Sequence, residues 1–317
     1  MSREKPEAIS QTEFLLLLHS APHIGEKALA RLLRLTAQQR LMPEDCLSLT
    51  SQEWQEKYEL HPLAAEALAL RQDTLRAQAA ALHLTLRKYQ IQPLTLESGS
   101  YPQRLDRNDD APPPLLYALG NQNLLSHSYT AERFTFTIAV SNGASAESLS
   151  RLDTLAKELI EQGGVPVTGH DRMPYQRLAL TAQRQNLPTV YVFDRGLREV
   201  LGADFDKPPF SAARIRDLVF DTSRDLALSP FRLDDHSLGD HNKRRDRIVC
   251  ALSDIIIALD VREGGGMADE CLRAMKQRQP VFVAVGGREG NSALRDAGCL
   301  PIPTGKKWVQ EVLKCSK

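Results

Sequence analysis

Residues able to hold or transform a ligand gather in a few short stretches. Ser141, Asn142 and Gly143, followed by Ala144 and Ser145, come directly after the apolar run FTFTIAV. Small residues at that place let a phosphate approach backbone N–H groups at a helix start, and they equally make a plain strand-to-helix turn. A second stretch, Thr168 to Arg172, sets Gly169 and Arg172 around His170 after VPV. A loop histidine with no partner legible in the sequence reads as incidental rather than as a general base. The third is Gly264, Gly265 and Gly266, between DIIIALDV and a helical stretch beginning at Met267. Three successive glycines cost more conformational entropy than a simple turn requires, so close approach of backbone to a ligand is the better explanation. Upstream, Lys243, Arg244, Arg245 and Arg247 place four cations in five positions. A phosphate backbone needs such cations; a solvated helix face has them too.

Nucleophilic and metal chemistry find no support. There is no GxSxG elbow, no GxxxxGK[ST] loop and no HExxH pair. The adjacent carboxylates Asp109-Asp110 and Asp234-Asp235 read as solvated pairs. Asp269-Glu270, one turn into the helix after the glycines, suits the helix dipole and is near enough to touch a ligand there.

The elements that must position these loops follow from periodicity. From Thr12 to about Tyr89, Leu and Ala recur at three- and four-residue intervals with breaks near Pro22, Pro43 and Pro62, which predicts helices; 64–90 reads as one or two amphipathic helices whose apolar stripe is core. A proline-rich connection with short extended pieces fills 91–125, and the domain boundary is expected near Gln90. Beyond it, the apolar runs FTFTIAV, VPVTG, TVYVF, DIIIALDV and VFVAV alternate with helical stretches at 147–162, 175–185 and 267–277. That alternation predicts an α/β fold: a doubly wound, mostly parallel Rossmann-like sheet over 91–317, preceded by a small all-helical domain over 1–90.

Composition narrows the setting. The 317 residues carry 40 Lys+Arg against 40 Asp+Glu, so any nucleic-acid binding must come from local clustering rather than a global field. Five scattered cysteines without a CxxC pair read as reduced, structural thiols, with no zinc site. The first residues lack an apolar signal core, and no run nears the roughly 18 apolar residues of a membrane span. A cytoplasmic protein with no membrane association, no cofactor and no metal is expected.

One resemblance is specific. Tyr101-Pro102-Gln103-Arg104-Leu105, followed by Asp110-Ala111-Pro112-Pro113-Pro114-Leu115-Leu116-Tyr117-Ala118-Leu119-Gly120-Asn121, resembles the YPxxL…PPxLYxxGN entry to the Rossmann domain of the DNA-processing DprA/Smf family. Arg245 to Asp254 resembles that family's RNRIIAGLS segment, and Val281 to Val285 its closing VFAVPG strand. His23 to Leu33 is similar to the helix-hairpin-helix or SAM-like segment of many members. The likeness runs from about residue 12 to 313. It departs in the first loop, where Ser141-Asn142-Gly143 replaces Gly-Ser-Arg, and in the second, where 168–174 replaces SGxAxGID. No winged-helix tail is expected after Lys317.

The resemblance implies single-stranded DNA in a basic pocket of the Rossmann domain, homodimerisation, and delivery of a RecA-type recombinase in DNA uptake (natural transformation), recombination or a related defence role. It implies DNA contacts at Ser141, Asn142, Gly143, Arg245, Arg247, Gly265 and Gly266; charge alone adds Lys243 and Arg244, and loop position adds Gly169, Arg172 and Gly264. The expected protein is non-enzymatic. The alternative comes from the related LOG nucleotide hydrolases, which share a broadly similar glycine-rich turn: a nucleotide sensor or hydrolase holding phosphate at Gly264 to Gly266, with Glu270 as its catalytic residue.

Overall fold

The computed structural model describes residues 9–126, 133–216, 218–305 and 307–315. The first eight residues, part of the stretch read for a signal core, lie outside them.

Capping and proline placement account for the N-terminal helices. Helix Gln11–Ser20 opens on a capping box: Ser10 Oγ accepts from the Glu13 N–H while the Glu13 carboxylate accepts from the Ser10 N–H. Helix Ser51–Tyr58 repeats the device with Thr50 and Glu53. Pro43 and Pro62 occupy first-turn positions, where a missing N–H costs nothing, of helices Pro43–Leu47 and Pro62–Leu70. The stretch 64–90 divides at Arg71 into two helices, the second being Gln72–Lys88, and Leu75, Ala79 and Leu86 form its buried stripe. Residues up to Leu96, with Pro113–Leu116, make one compact unit; Glu97–Pro112 and the residues from Tyr117 onward make another.

Nine strands form one sheet: β1 (Gln92–Thr95), β2 (Leu115–Gly120), β3 (Phe134–Val140), β4 (Gly164–Thr168), β5 (Val190–Val192), β6 (Leu226–Ser229), β7 (Ile255–Asp260), β8 (Val281–Val283) and β9 (Leu300–Pro301). Their order is β1-β2-β6-β5-β4-β3-β7-β8-β9. From β6 through β9 neighbouring strands pair in parallel, and β2 joins β6 antiparallel. The fold is α/β and mostly parallel, as the alternation predicts.

Why the central strands are apolar throughout is visible in which residue faces which core. Phe134, Phe136, Ile138, Ile255, Ile257, Leu259 and Phe282 pack with Leu152, Ala156 and Leu159 of helix Ala146–Glu161. Their alternates Ala139, Ile256, Ala258, Val281 and Val283 pack with Cys250 of helix His241–Leu252 and with Met267, Cys271 and Ala274 of helix Gly266–Lys276. Period two therefore survives inside a continuous apolar run, with a helix layer on each face. Each fully buried aliphatic side chain contributes about 1.5–3 kcal/mol. Four cysteines, Cys46, Cys250, Cys271 and Cys299, are buried thiols, and Cys315 is exposed. Among the described residues no helix is long and apolar enough to cross a membrane.

A candidate nucleic-acid interface at the switch point

The chain leaves β3 toward β4, β5 and β6 on one side, then returns to place β7, β8 and β9 on the other. Loops after β3 and β7 thus diverge and leave a crevice at the carboxyl edge, the usual ligand position in such sheets. Helix His241–Leu252 runs back along the sheet into β7, so its first turn lies at this same edge.

Ser141 is buried and ties the crevice together: its N–H donates to the Asp260 carbonyl at 2.9 Å and its Oγ accepts from the Arg262 N–H at 2.9 Å. Asn142 and Gly143 are exposed. Their carbonyls accept from the Arg288 guanidinium, to Asn142 at 3.0 Å and also to Gly143, while Arg288 Nε lies 3.4 Å from Asp260. Ser145 Oγ caps the following helix by accepting from the Ser148 N–H.

Across the crevice, Gly264 has φ +64, a left-handed conformation that favours glycine, and a Cβ on Gly265 would come within 3.1 Å of the Arg262 carbonyl. Gly266 has neither reason: its φ is ordinary and a Cβ there would meet nothing within 4 Å. The protein's own packing therefore does not explain the third glycine.

The loop after β4 is different in kind. Gly169 is buried, and a Cβ on it would stand 2.7 Å from the Tyr175 ring and 2.9 Å from Arg245 Cδ. Arg172 pairs with Asp246 and lies over the Tyr175 ring, its guanidinium carbon 5.2 Å from the centroid. Arg245 is completely buried: Nε donates to Asp246 Oδ1 at 2.8 Å, Nη1 pairs with Asp171, and the guanidinium sits 4.9 Å over Tyr175. Gly169, Arg172 and Arg245, read from the sequence as ligand contacts, are here parts of an internal charge network. A buried ion must be paired to be tolerated, and this network supplies the pairing.

The remaining cations of the basic helix point elsewhere. Arg244 donates to Asp109 Oδ2 and to the Ala111 carbonyl, each at 2.7 Å, joining the helix to the segment after the YPQRL motif. That motif is itself anchored by the Arg104–Asp254 pair at 2.8 Å. Lys243 is exposed beside Asp240. Arg247 is one-third exposed and held only loosely, 3.8, 3.5 and 3.6 Å from Asp109, Asp110 and Glu270. Lys243 and Arg247 are therefore the cations of this helix that a phosphate can reach. Glu270 engages Arg273 at 2.7 Å with one oxygen and faces Arg247 with the other.

Sequence reasoning passed over Arg288, Arg262 and the Phe231–His241 pair. The first follows Gly286 and Gly287, both at positive φ, at the carboxyl end of β8; a glycine pair after an apolar run is the same signal that drew attention to Gly264. Arg262 is exposed at the crevice. Phe231 and His241 stack at 3.8 Å, both partly exposed, a flat surface of the kind on which bases stack.

Sheet order, two-layer winding and the switch-point crevice define a doubly wound α/β protein with a glycine- and arginine-lined carboxyl edge. The model of the family DNA recombination-mediator protein A matches residues 92–303, and the chain belongs to that family. DNA processing protein A (DprA) from Streptococcus pneumoniae is similar in structure, with TM-score 0.70 and 18% identity over 96% of this chain and 99% of its own. DNA processing protein A from Helicobacter pylori, solved in work on its single-stranded DNA binding mode, matches with TM-score 0.56 and 23% identity over 71% of this chain and 97% of its own. No curated protein matches the chain.

Proposed function

We propose that the chain binds single-stranded DNA, without catalysing a reaction on it, along the carboxyl edge of the sheet. Phosphates meet Lys243 and Arg247 and the backbone N–H groups of Asn142, Gly143 and Gly266, while the Gly265 N–H is used within the turn, donating to the Arg262 carbonyl at 3.1 Å. Arg262 and Arg288 supply further charge, and the Phe231–His241 stack receives bases. The observation that carries this reading is Gly266, exposed at a helix start with nothing within 4 Å of where a Cβ would stand, where backbone can touch an anion. Membership of a DNA recombination-mediator family supports it. Arg245, Arg172 and Gly169 then act by positioning, holding the basic helix against β4. Nucleotide hydrolysis by Glu270 is disfavoured because both its oxygens face guanidinium groups.

Homodimerisation, a cytoplasmic location and loading of a RecA-type recombinase in recombination, transformation or defence complete the proposal. Fluorescence anisotropy with labelled single- and double-stranded oligonucleotides across a salt series tests its core. Tighter, salt-sensitive binding of the single strand is expected; equal or absent binding at low salt overturns it.

A further inference from the structure

We propose that a second site, separate from the switch-point crevice, receives a nucleoside 5′-phosphate in a cavity beyond the carboxyl ends of β4 and β5. The cavity has a volume of about 660 Å³, within the range of small-ligand sites. Arg195, Lys207 and Arg214 line it, as do the apolar groups of Val200, Pro209 and Phe210. Charge and flat apolar surface together fit a phosphate joined to a base better than either alone.

The two carboxylates in the wall do not cancel this charge. Asp171 is paired with the buried Arg245, and Glu199, 2.9 Å from His236, is one carboxylate against the three cations of the wall. Lys207 and Arg214 are exposed, and their side chains have no hydrogen-bond or ion-pair partner among the described residues. Arg195 donates to Asp194 Oδ1 and is still 30% exposed.

His170 is the independent sign of a ligand. Its side chain is 9% exposed and lines the cavity, edge-on to Phe193, yet its Nδ1 has no hydrogen-bond partner. Nε2 is 3.9 Å from Asp194, too far for a hydrogen bond. Burial outweighs that carboxylate and pushes the imidazole pKa down to about 4, so the ring is neutral and keeps one donor and one acceptor. Arg245 Nη2, on the guanidinium that holds Asp171, is likewise buried without a partner. Buried polar atoms are normally paired, and the orphan His170 Nδ1, on a ring in the wall of a cationic cavity, marks where a ligand completes the pairing.

The test is calorimetric titration of the full chain with thymidine 5′-monophosphate, thymidine and inorganic phosphate. Saturable binding of the monophosphate is expected, with the other two at least about tenfold weaker. Lys207→Ala with Arg214→Ala should weaken it at least about tenfold at an unchanged melting temperature, since both side chains are exposed. His170→Asn should weaken it as well. A 5′-phosphorylated oligothymidine that displaces the monophosphate identifies a strand end as the source; one that does not identifies a free nucleotide. Absence of saturable monophosphate binding, or equal affinity in the Lys207/Arg214 variant, overturns the proposal. Lys243→Ala with Arg247→Ala should leave monophosphate binding intact, so this site and the DNA reading of the crevice fail separately.

Discussion

The loop after β4 and the loop after β7 are built alike, glycine beside arginine at the carboxyl edge of one sheet, and they end in opposite states. Over Gly169 lie the Tyr175 ring and the Arg245 side chain, and Arg172 is paired with Asp246. Over Gly264 and Gly266 there is open space, and Arg262 is exposed. The difference lies in what each loop meets. Asp171, Asp246 and Tyr175 close the first around a buried guanidinium, whereas among the described residues no ion pair holds Arg262 in the second. A glycine–arginine loop thus reports a ligand only when no internal partner accounts for both residues.

The largest effect that would break this contrast is on stability. Arg245→Ala takes the close cation from Asp171, leaves Asp246 with Arg172 and the Tyr175 hydroxyl alone, and opens a space between them; breaking a buried pair costs about 3–5 kcal/mol. Denaturant unfolding should show that loss; a variant of wild-type stability with weakened DNA binding would instead make Arg245 a ligand contact. Next comes acid. His170 has a folded pKa lowered to about 4, chiefly by burial, against about 6.5 unfolded. Between those values the unfolded chain binds a proton that the folded one refuses, so stability is full above about pH 6.5 and falls as pH drops toward 4, by about 2–3 kcal/mol. His170→Asn should flatten melting temperature against pH in that window. An unchanged pH profile in the variant would show that His170 is not buried neutral.

The sequence makes the sheet's centre legible and its flank obscure. β3, β7 and β8 are apolar on both faces and stand out as uninterrupted runs. β6 is four residues, LALS, and β2 lies within a proline-rich stretch that reads as connection; each is specified by its neighbours, β6 by β5 and β2 by antiparallel pairing. The candidate site is half legible. Loop position points to Asn142, Gly143 and Gly266 as candidates, but charge cannot divide Arg245 from Arg247, because the deciding acid, Asp171, is 74 residues away. A local signal did exist: Arg245 shares a helical face with Ile248, Val249 and Leu252, all buried, which places it inward. Arg288 reaches the β3 loop from 146 residues beyond Asn142, a juxtaposition that only the fold makes.

Glycine substitutions sharpen the comparison at smaller cost. Gly169→Ala forces a Cβ into a ring and a paired arginine, an overpacking worth about 1–3 kcal/mol. Gly266→Ala adds a methyl group to open space and should change stability by no more than about 0.5 kcal/mol while weakening single-stranded DNA binding. Thermal melts and anisotropy on the two variants check both halves. If Gly266→Ala binds as wild type does, backbone at that position is not approached by the strand.

The smallest effect on folding should accompany the plainest effect on binding. Lys243→Ala with Arg247→Ala removes one exposed cation and one held only by contacts of 3.5 Å or longer. Exposed pairs of this kind contribute about 0–1 kcal/mol, so the melting point should scarcely move. If each cation neutralises one phosphate, the slope of log affinity against log salt for a single strand becomes shallower by about 0.7 per cation. A slope unchanged by the double substitution would move the strand off this helix and leave Arg262 and Arg288, on the other side of the crevice, to carry it.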